Sequence, residues 1–225
     1  MKTSMKALTL VLCAVLLVCA SVMGTLAYLK STTEVVTNTF TVGNVQITLD
    51  EAKVDEYGVK VNPEERVQAN TYRLLPGHTY VKDPTVTVLA NSEACYVRMI
   101  VTVTDADMVK LMAAFPAATY PEFYNKDVFL LQNLVSVWDN SVWETTGVVT
   151  HANGVYTYEF RYVEIVARKQ TANQVLEPLF TNVVIPGTLS NTAIAELNDV
   201  NIDIVAHAIQ ADGFANAAAA WAAWN

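Results

Sequence analysis

Cysteine and histidine, the residues that most often staple, ligate or catalyse, are nearly missing from this 225-residue chain, which holds three of each. Cys13 and Cys19 fall within an apolar N-terminal run. That leaves Cys95 as the one cysteine of the body, with no intramolecular disulfide partner. A disulfide-stapled scaffold is excluded, and stability has to come from an ordinary core. His78, His151 and His207 are far apart, and none belongs to an HExxH pattern. GxSxG, P-loop and GxGxxG patterns are also absent. Basic residues are few: 14 Lys and Arg stand against 22 Asp and Glu, a net charge of −8. Such a surface repels phosphate backbones, so nucleic acid is not an expected partner. At 52% hydrophobic residues, the chain is also no disordered tail.

What is present begins with an export pattern. Lys2 and Lys6 precede an apolar run from Ala7 to Val22, broken only by Thr9 and Ser21. Thr25 and Ala27 then place small residues at −3 and −1 of a cleavage site before Tyr28. A membrane helix needs about 20 consecutive apolar residues. The shorter run, ending in Gly24-Thr25, reads as a signal peptide over 1–27, with an uncleaved anchor as the alternative. No later stretch is long and apolar enough to span a bilayer, and Ala217 to Asn225 carries no sortase-type motif. The expected location is secreted, in the extracellular matrix or at the cell surface, with no membrane association after cleavage. Losing Lys2 and Lys6 takes 14 basic residues to 12 against 22 acidic ones, a net charge of −10. Acidity of this size keeps a secreted protein soluble. Residues 28–225 suit one domain that buries roughly 70% of the surface its unfolded chain exposes.

Strand patterns dominate that domain. Apolar residues fall at Phe40 and Val42, then at Val45, Ile47 and Leu49, so the phase shifts at Gly43-Asn44. A glycine there predicts a bulge or a change of partner strand. Residues 84–90 and 95–104 predict a hairpin turning at Asn91-Ser92-Glu93. Asp105 is expected to cap a short helix carrying Met108, Leu111, Met112 and Phe115, stopped by Pro116. Residues 116–134 read as an irregular excursion, with strand character returning at 135–150. Asn153-Gly154 predicts a turn into Val155–Val166, with Tyr156, Tyr158, Phe160 and Tyr162 on one face. Further strands are expected at 178–185 and 200–210. In the latter, Val200, Ile202, Ile204, Ala206 and Ala208 share a face, opposite His207. After Asp212-Gly213, Phe214, Ala217, Ala218 and Trp221 sit at helical spacing, suggesting a C-terminal helix docked on the sheets. The fold class is therefore mainly β: an antiparallel two-sheet, jelly-roll-like sandwich with one mid-chain helix and a C-terminal helix.

Candidate chemistry is sparse. Cys95 shares a strand face with Val97, Met99, Val101 and Val103, so it reads as a buried structural thiol rather than a nucleophile. The acid pairs Asp50 with Glu51, Glu64 with Glu65, and Asp105 with Asp107 could serve glycoside chemistry or calcium. They are more simply a helix cap and solvated turns. No catalytic, cofactor or metal residue is assigned.

The stretch Gly24-Thr25-Leu26-Ala27-Tyr28-Leu29, followed by Asn38 to Leu49, resembles secreted Gram-positive proteins processed by the SipW-type signal peptidase. These form the TasA and camelysin (CalY) group. Leu75-Pro76-Gly77, Lys82-Asp83-Pro84, Cys95-Tyr96-Val97-Arg98, Gly154 to Tyr158, and Ala208 to Phe214 with Ala220-Trp221 are similar to the same group. The resemblance is weak between 105 and 145. It implies a jelly-roll fold and assembly into biofilm-matrix fibres, by self-association and with other matrix proteins. Camelysin's classification as a metallopeptidase has no metal motif here to carry it.

Residues 28–42 suit a donated strand. Val35, Val36, Thr37, Thr39, Phe40 and Thr41 have high strand propensity, no proline interrupts them, and Val42-Gly43 marks the phase break. The alternative is that they form the first strand of their own sheet. Three functions are thus expected to compete: a structural matrix or surface-fibre subunit, a surface adhesin or ligand-binding module, and a metal-dependent peptidase. N-terminal sequencing of secreted material should find a chain starting at or near Tyr28; a chain starting at Met1 or Met5 would refute the signal assignment.

Overall fold

In a computed structural model, the chain divides into two compact units, residues 1–41 and 42–225. The structure describes residues 5–6, 11–15, 43–62, 65–121, 135–136, 138–146 and 149–224, with backbone alone at 135–136. In the first unit, residues 5–6 and 11–15 are helical. The expected signal boundary and residues 28–42 lie outside the described residues.

The second unit is mainly β, and every strand pairing among its described residues is antiparallel. Its strands are β1 (Ile47–Ala52), β2 (Arg66–Val67), β3 (Thr79–Val81), β4 (Thr85–Val88), β5 (Cys95–Thr104), β6 (Val135–Ser136), β7 (Trp143–Thr145), β8 (Thr150–Ala152), β9 (Val155–Tyr162), β10 (Gln174–Val175), β11 (Asn182–Val184) and β12 (Asp203–Gln210). The described strands form three sheets rather than the expected two. Their orders are β10-β4-β1-β2, β3-β11-β6 and β12-β5-β9-β7, with β8 also paired to β9. The sheet of β3 and that of β4 part at Lys82-Asp83-Pro84, which separates the two strands. Pro84 has no N–H to give a ladder, and the buried Asp83 carboxylate accepts the Ala52 N–H at 2.6 Å instead.

The core is built on β5. Its alternate residues Cys95, Val97, Met99, Val101 and Val103 are fully buried, as period-two patterning requires. Across the ladder, Met99 faces Phe160 and Val101 faces Tyr158 on β9; on the other side Met99 faces Ala206 and Val101 faces Ile204 on β12. Tyr156, Tyr158, Phe160 and Tyr162 all pack inward, as do Val200, Ile202, Ile204, Ala206 and Ala208. Val86 and Val88 of β4 and Val45, Ile47 and Leu49 around β1 join the same core. Trp143 is buried too, its indole N–H donating to the Glu177 carbonyl at 2.9 Å.

The hairpin expected between 84–90 and 95–104 does not form: β4 and β5 belong to different sheets. The reason lies in the connecting residues, whose polar groups are claimed by other partners. Leu89 N–H donates to Gln46 O, Asn91 N–H to Lys169 O, and Glu93 N–H to Asn44 O. The buried Ser92 hydroxyl accepts from Gln46 N–H at 3.1 Å and donates to Gln46 O at 3.2 Å. By contrast, the Asn153-Gly154 turn is present, with φ of 52° and 75°, the positive pair that a two-residue hairpin of this twist demands. It joins β8 to β9.

The mid-chain helix α1 (Asp105–Ala114) is capped by Thr104, not by Asp105. Thr104 Oγ1 accepts from Asp107 N–H at 3.1 Å and donates to the Asp107 carboxylate at 2.7 Å. Asp105 sits inside the first turn, where its charge favours the helix N-terminus. Met108, Leu111 and Phe115 are buried; Met112 is 41% exposed, at the margin of the stripe. A second short helix, α2 (Asn191–Glu196), was not foreshadowed by the patterning; it is capped by Ser190 and buries no residue. The C-terminal helix α3 (Ala217–Ala222) is as expected, with Asn216 as its cap and Trp221 buried.

Truncating Met99 to Ala should cost about 2–5 kcal/mol in urea unfolding. Val205→Ala, on the outer face of β12, should stay within about 0.5 kcal/mol of the parent. Near-equal effects at the two positions would mean the faces are assigned wrongly.

Candidate assembly edge

Among the residues singled out in the sequence, Thr25, Ala27, Tyr28, Val36, Thr39, Phe40 and Val42 lie outside the described residues. Gly43 lies within them. A Cβ built on it would sit 3.0 Å from Glu93 Cγ, so the chain enters the second unit hard against the segment that leaves β4. From Asn44 onward that strand extends the β1–β4 ladder through the Glu93–Asn44 and Leu89–Gln46 bonds.

The histidines have separate surroundings. His78 Nε2 lies 2.9 Å from the Tyr57 carbonyl, and its ring meets Tyr80 edge-on. His151 Nε2 is 2.6 Å from Asp105 Oδ1, with the imidazole stacked on Tyr156. His207 is half-buried beside Arg98, which donates from Nε to His207 Nδ1 at 3.3 Å. Among the described residues, no group of three or more His, Cys, Asp and Glu could hold a metal ion.

The acid pairs of the sequence are largely accounted for by cations. Asp50 pairs with Arg66, Glu51 with Lys82 at 2.7 Å, and Glu65 with Lys53 at 2.7 Å. Glu64 lies outside the described residues. Cys95 is fully buried, and burial pushes its thiol up to about 11. A thiol so raised is a poor nucleophile at neutral pH.

What the strand order does create is an open edge. β12 is eight residues long and terminates the five-stranded sheet, and among the described residues no strand pairs with its outer side. Its sequence, Asp203-Ile204-Val205-Ala206-His207-Ala208-Ile209-Gln210, contains no proline, lysine or arginine. Proline and basic side chains are among the devices by which sheet proteins blunt an edge. The inward side chains report the opening. Ile204, Ala206 and Ala208 are only half-buried, whereas their β5 partners Val101, Met99 and Val97 are completely so. Val205 is 48% exposed on the outer face. β1 approaches within 8 Å of β12 but shares no ladder with it. Patterning alone placed β12 and its faces; it could not place β12 at the end of a sheet, because strand order depends on partners remote in sequence.

No protein-family model, curated protein or solved structure matches the chain.

At pH 8 a thiol titrating at about 11 is only about one-thousandth thiolate. Cys95 in the folded protein should therefore be silent to a disulfide reagent at that pH and react fully once urea unfolds the chain. Rapid labelling of the native protein would contradict its burial.

Proposed function

We propose that the protein is a secreted structural subunit of an extracellular matrix or cell-surface fibre, joined to its neighbours by strand donation. The observation that carries this reading is the long edge of β12, unpaired among the described residues, with its half-covered inward side chains. An incoming strand on that edge gains a row of main-chain hydrogen bonds and covers Ile204, Ala206 and Ala208. The donor is the segment 28–42 of a neighbouring copy, freed at its N-terminus when the signal is cleaved after Ala27. Val36, Thr39, Phe40 and Val42 supply its strand-forming side chains, and Gly43 is the hinge. The sheets of the second unit are then the parts of a jelly-roll-like sandwich resembling that of the TasA and camelysin group.

Several features favour this over the other readings. The tyrosines and Phe160 of β9 point into the core rather than outward, which leaves them unable to serve as a sugar-binding face. His78, His151 and His207 each keep a different set of partners, which favours a structural reading over a peptidase one. The expected partners are further copies and other matrix proteins. The net negative charge disfavours nucleic acid.

Electron microscopy of the purified protein, concentrated at neutral and mildly acidic pH, tests the proposal. A variant lacking residues 28–39 should stay folded and soluble yet fail to extend fibres that the parent forms. Normal fibres from the shortened chain would end the strand-donation reading, and a parent that never polymerises would end the fibre reading itself.

A further inference from the structure

The outer face of the five-stranded sheet carries an arrangement that strand donation does not use. Arg161 of β9, Arg98 of β5 and His207 of β12 lie directly opposite one another, forming one row across the sheet. Above this row sit Trp221 of α3 and Trp224, two residues past its end. The Arg98 guanidinium carbon is 4.4 Å from the centroid of the Trp221 ring and 5.3 Å from that of Trp224. The imidazole of His207 stacks on Trp224 at 4.7 Å with an interplanar angle of 20°. Beside these contacts, Tyr96, Ala220 and Trp221 form a small apolar cluster with Ile209, Ala211, Phe214 and Ala217, separate from the main core.

The hydrogen bond between the two basic groups fixes the charge state. Arg98 Nε can only donate, so His207 Nδ1 must accept, which a neutral imidazole with its proton on Nε2 can do and a protonated one cannot. Protonation would set an N–H against an N–H and a cation against a cation. The groups facing His207 are Arg98 on β5, Glu159 and Arg161 on β9, and the indoles of Trp221 and Trp224. The one anion among them, Glu159, is already shared: it accepts from Arg161 Nε at 2.7 Å and from Arg98 Nη1 at 3.3 Å. The docking of α3 is also incomplete in itself. The Trp221 indole N–H is buried with no hydrogen-bond partner among the described residues. A buried donor left unmade weakens the docked state relative to one that reaches water.

We propose that His207 is a proton-operated latch: while neutral, it and Arg98 hold Trp221 and Trp224 against the sheet, and once protonated it releases the C-terminal helix. Release uncovers the apolar surface of Tyr96 and Ile209 next to the β12 edge. The direction of the pH response follows from the surroundings. Burial first, and the Arg98 charge second, lower the His207 pKa from its ordinary 6.5, with Glu159 opposing. His207 binds a proton more readily with the helix released than with it docked. The latch is therefore fully set above about pH 6.5 and weakens as pH falls from there towards the lowered value. Over that window the docking equilibrium should fall by up to about tenfold per pH unit. Attraction between a charged imidazole and Trp224 acts in the opposite sense, and if it prevailed the pKa would be raised.

The latch does not rest on the fibre reading and is tested on the monomeric protein. NMR titration of His207 should give a midpoint below 6.5. Hydrogen exchange across 217–224, corrected for intrinsic rate, should accelerate in the same pH window. His207→Asn, whose amide oxygen can accept from Arg98 but does not titrate, should keep that region protected down to the acid limit of the fold. A midpoint at or above 6.5 would overturn the latch, as would exchange that rises equally in His207→Asn or does not rise at all. Should the variant fail to fold, coincidence of the two parental midpoints supports the latch and their separation overturns it.

Discussion

Everything in the second unit leans on one face of one strand. Cys95, Val97, Met99, Val101 and Val103 are buried completely at the centre of the main core, flanked by β9 and β12. β9 and β12 take their registers from this row, setting Phe160 and Ala206 on either side of Met99. Because the side-chain period is two, a one-residue slip on either flank would turn the buried row outward. The opposite face of the same strand then acquires its own character. Tyr96, Arg98, Ile100 and Thr102 cannot enter the core, so the far side of β5 becomes a platform for the C-terminal helix at one end and solvent at the other.

A second constraint holds the corner where β1, β2 and β3 come together. Glu51 and Asp83 are buried carboxylates in a mainly apolar setting, and neither is left alone. Lys82 reaches Glu51 at 2.7 Å, Asn70 donates to the same carboxylate at 2.9 Å, and Lys60 and Arg66 both approach Asp83 at 3.5 Å. The desolvation such ions require is large, and their mutual attraction roughly offsets it rather than adding a surplus. Their effect is on geometry. With Ala52 N–H bound by Asp83 and Val54 N–H bound by Asn70 at 3.1 Å, the end of β1 has one direction in which to leave.

Sequence patterning reads well where the signal is local and badly where it is relational. The alternation from Cys95 to Thr104, the aromatic face of β9, the Asn153-Gly154 turn and the inward row of β12 each follow from neighbouring residues. So does the C-terminal helix, from its spacing of Phe214, Ala217 and Trp221. Partner choice does not follow in this way. Residues 84–90 and 95–104 look like a hairpin because a turn-forming triplet joins two good strands. Yet the triplet's backbone N–H groups bind Lys169 and Asn44, the Ser92 hydroxyl binds Gln46, and nothing near residues 91–93 announces that. The short strands β2, β3 and β10 have too few residues to show a period. Helix α2 has a legible cap in Ser190 but no apolar stripe, since none of its residues is buried. The candidate edge was visible as a strand and invisible as an edge. The row of Arg161, Arg98 and His207 was likewise unreadable before the three strands were set side by side.

The pairing of β5 with β12 has a bearing on how the chain comes to be folded at all. Cys95 meets Gln210 and Thr102 meets Asp203, so these partners are separated by 115 and 101 residues of chain. The β8–β9 hairpin, by contrast, closes over two residues and can form as soon as it is made. A chain emerging N-terminus first would therefore present β5 with one flank satisfied by β9 and the other bare until residues 203–210 arrive. During that interval the face of Ile204, Ala206 and Ala208 is not yet there to cover Val101, Met99 and Val97. The domain's most hydrophobic strand thus spends its youth half dressed, and a bystander strand offered at that moment would find the same seat that β12 later takes.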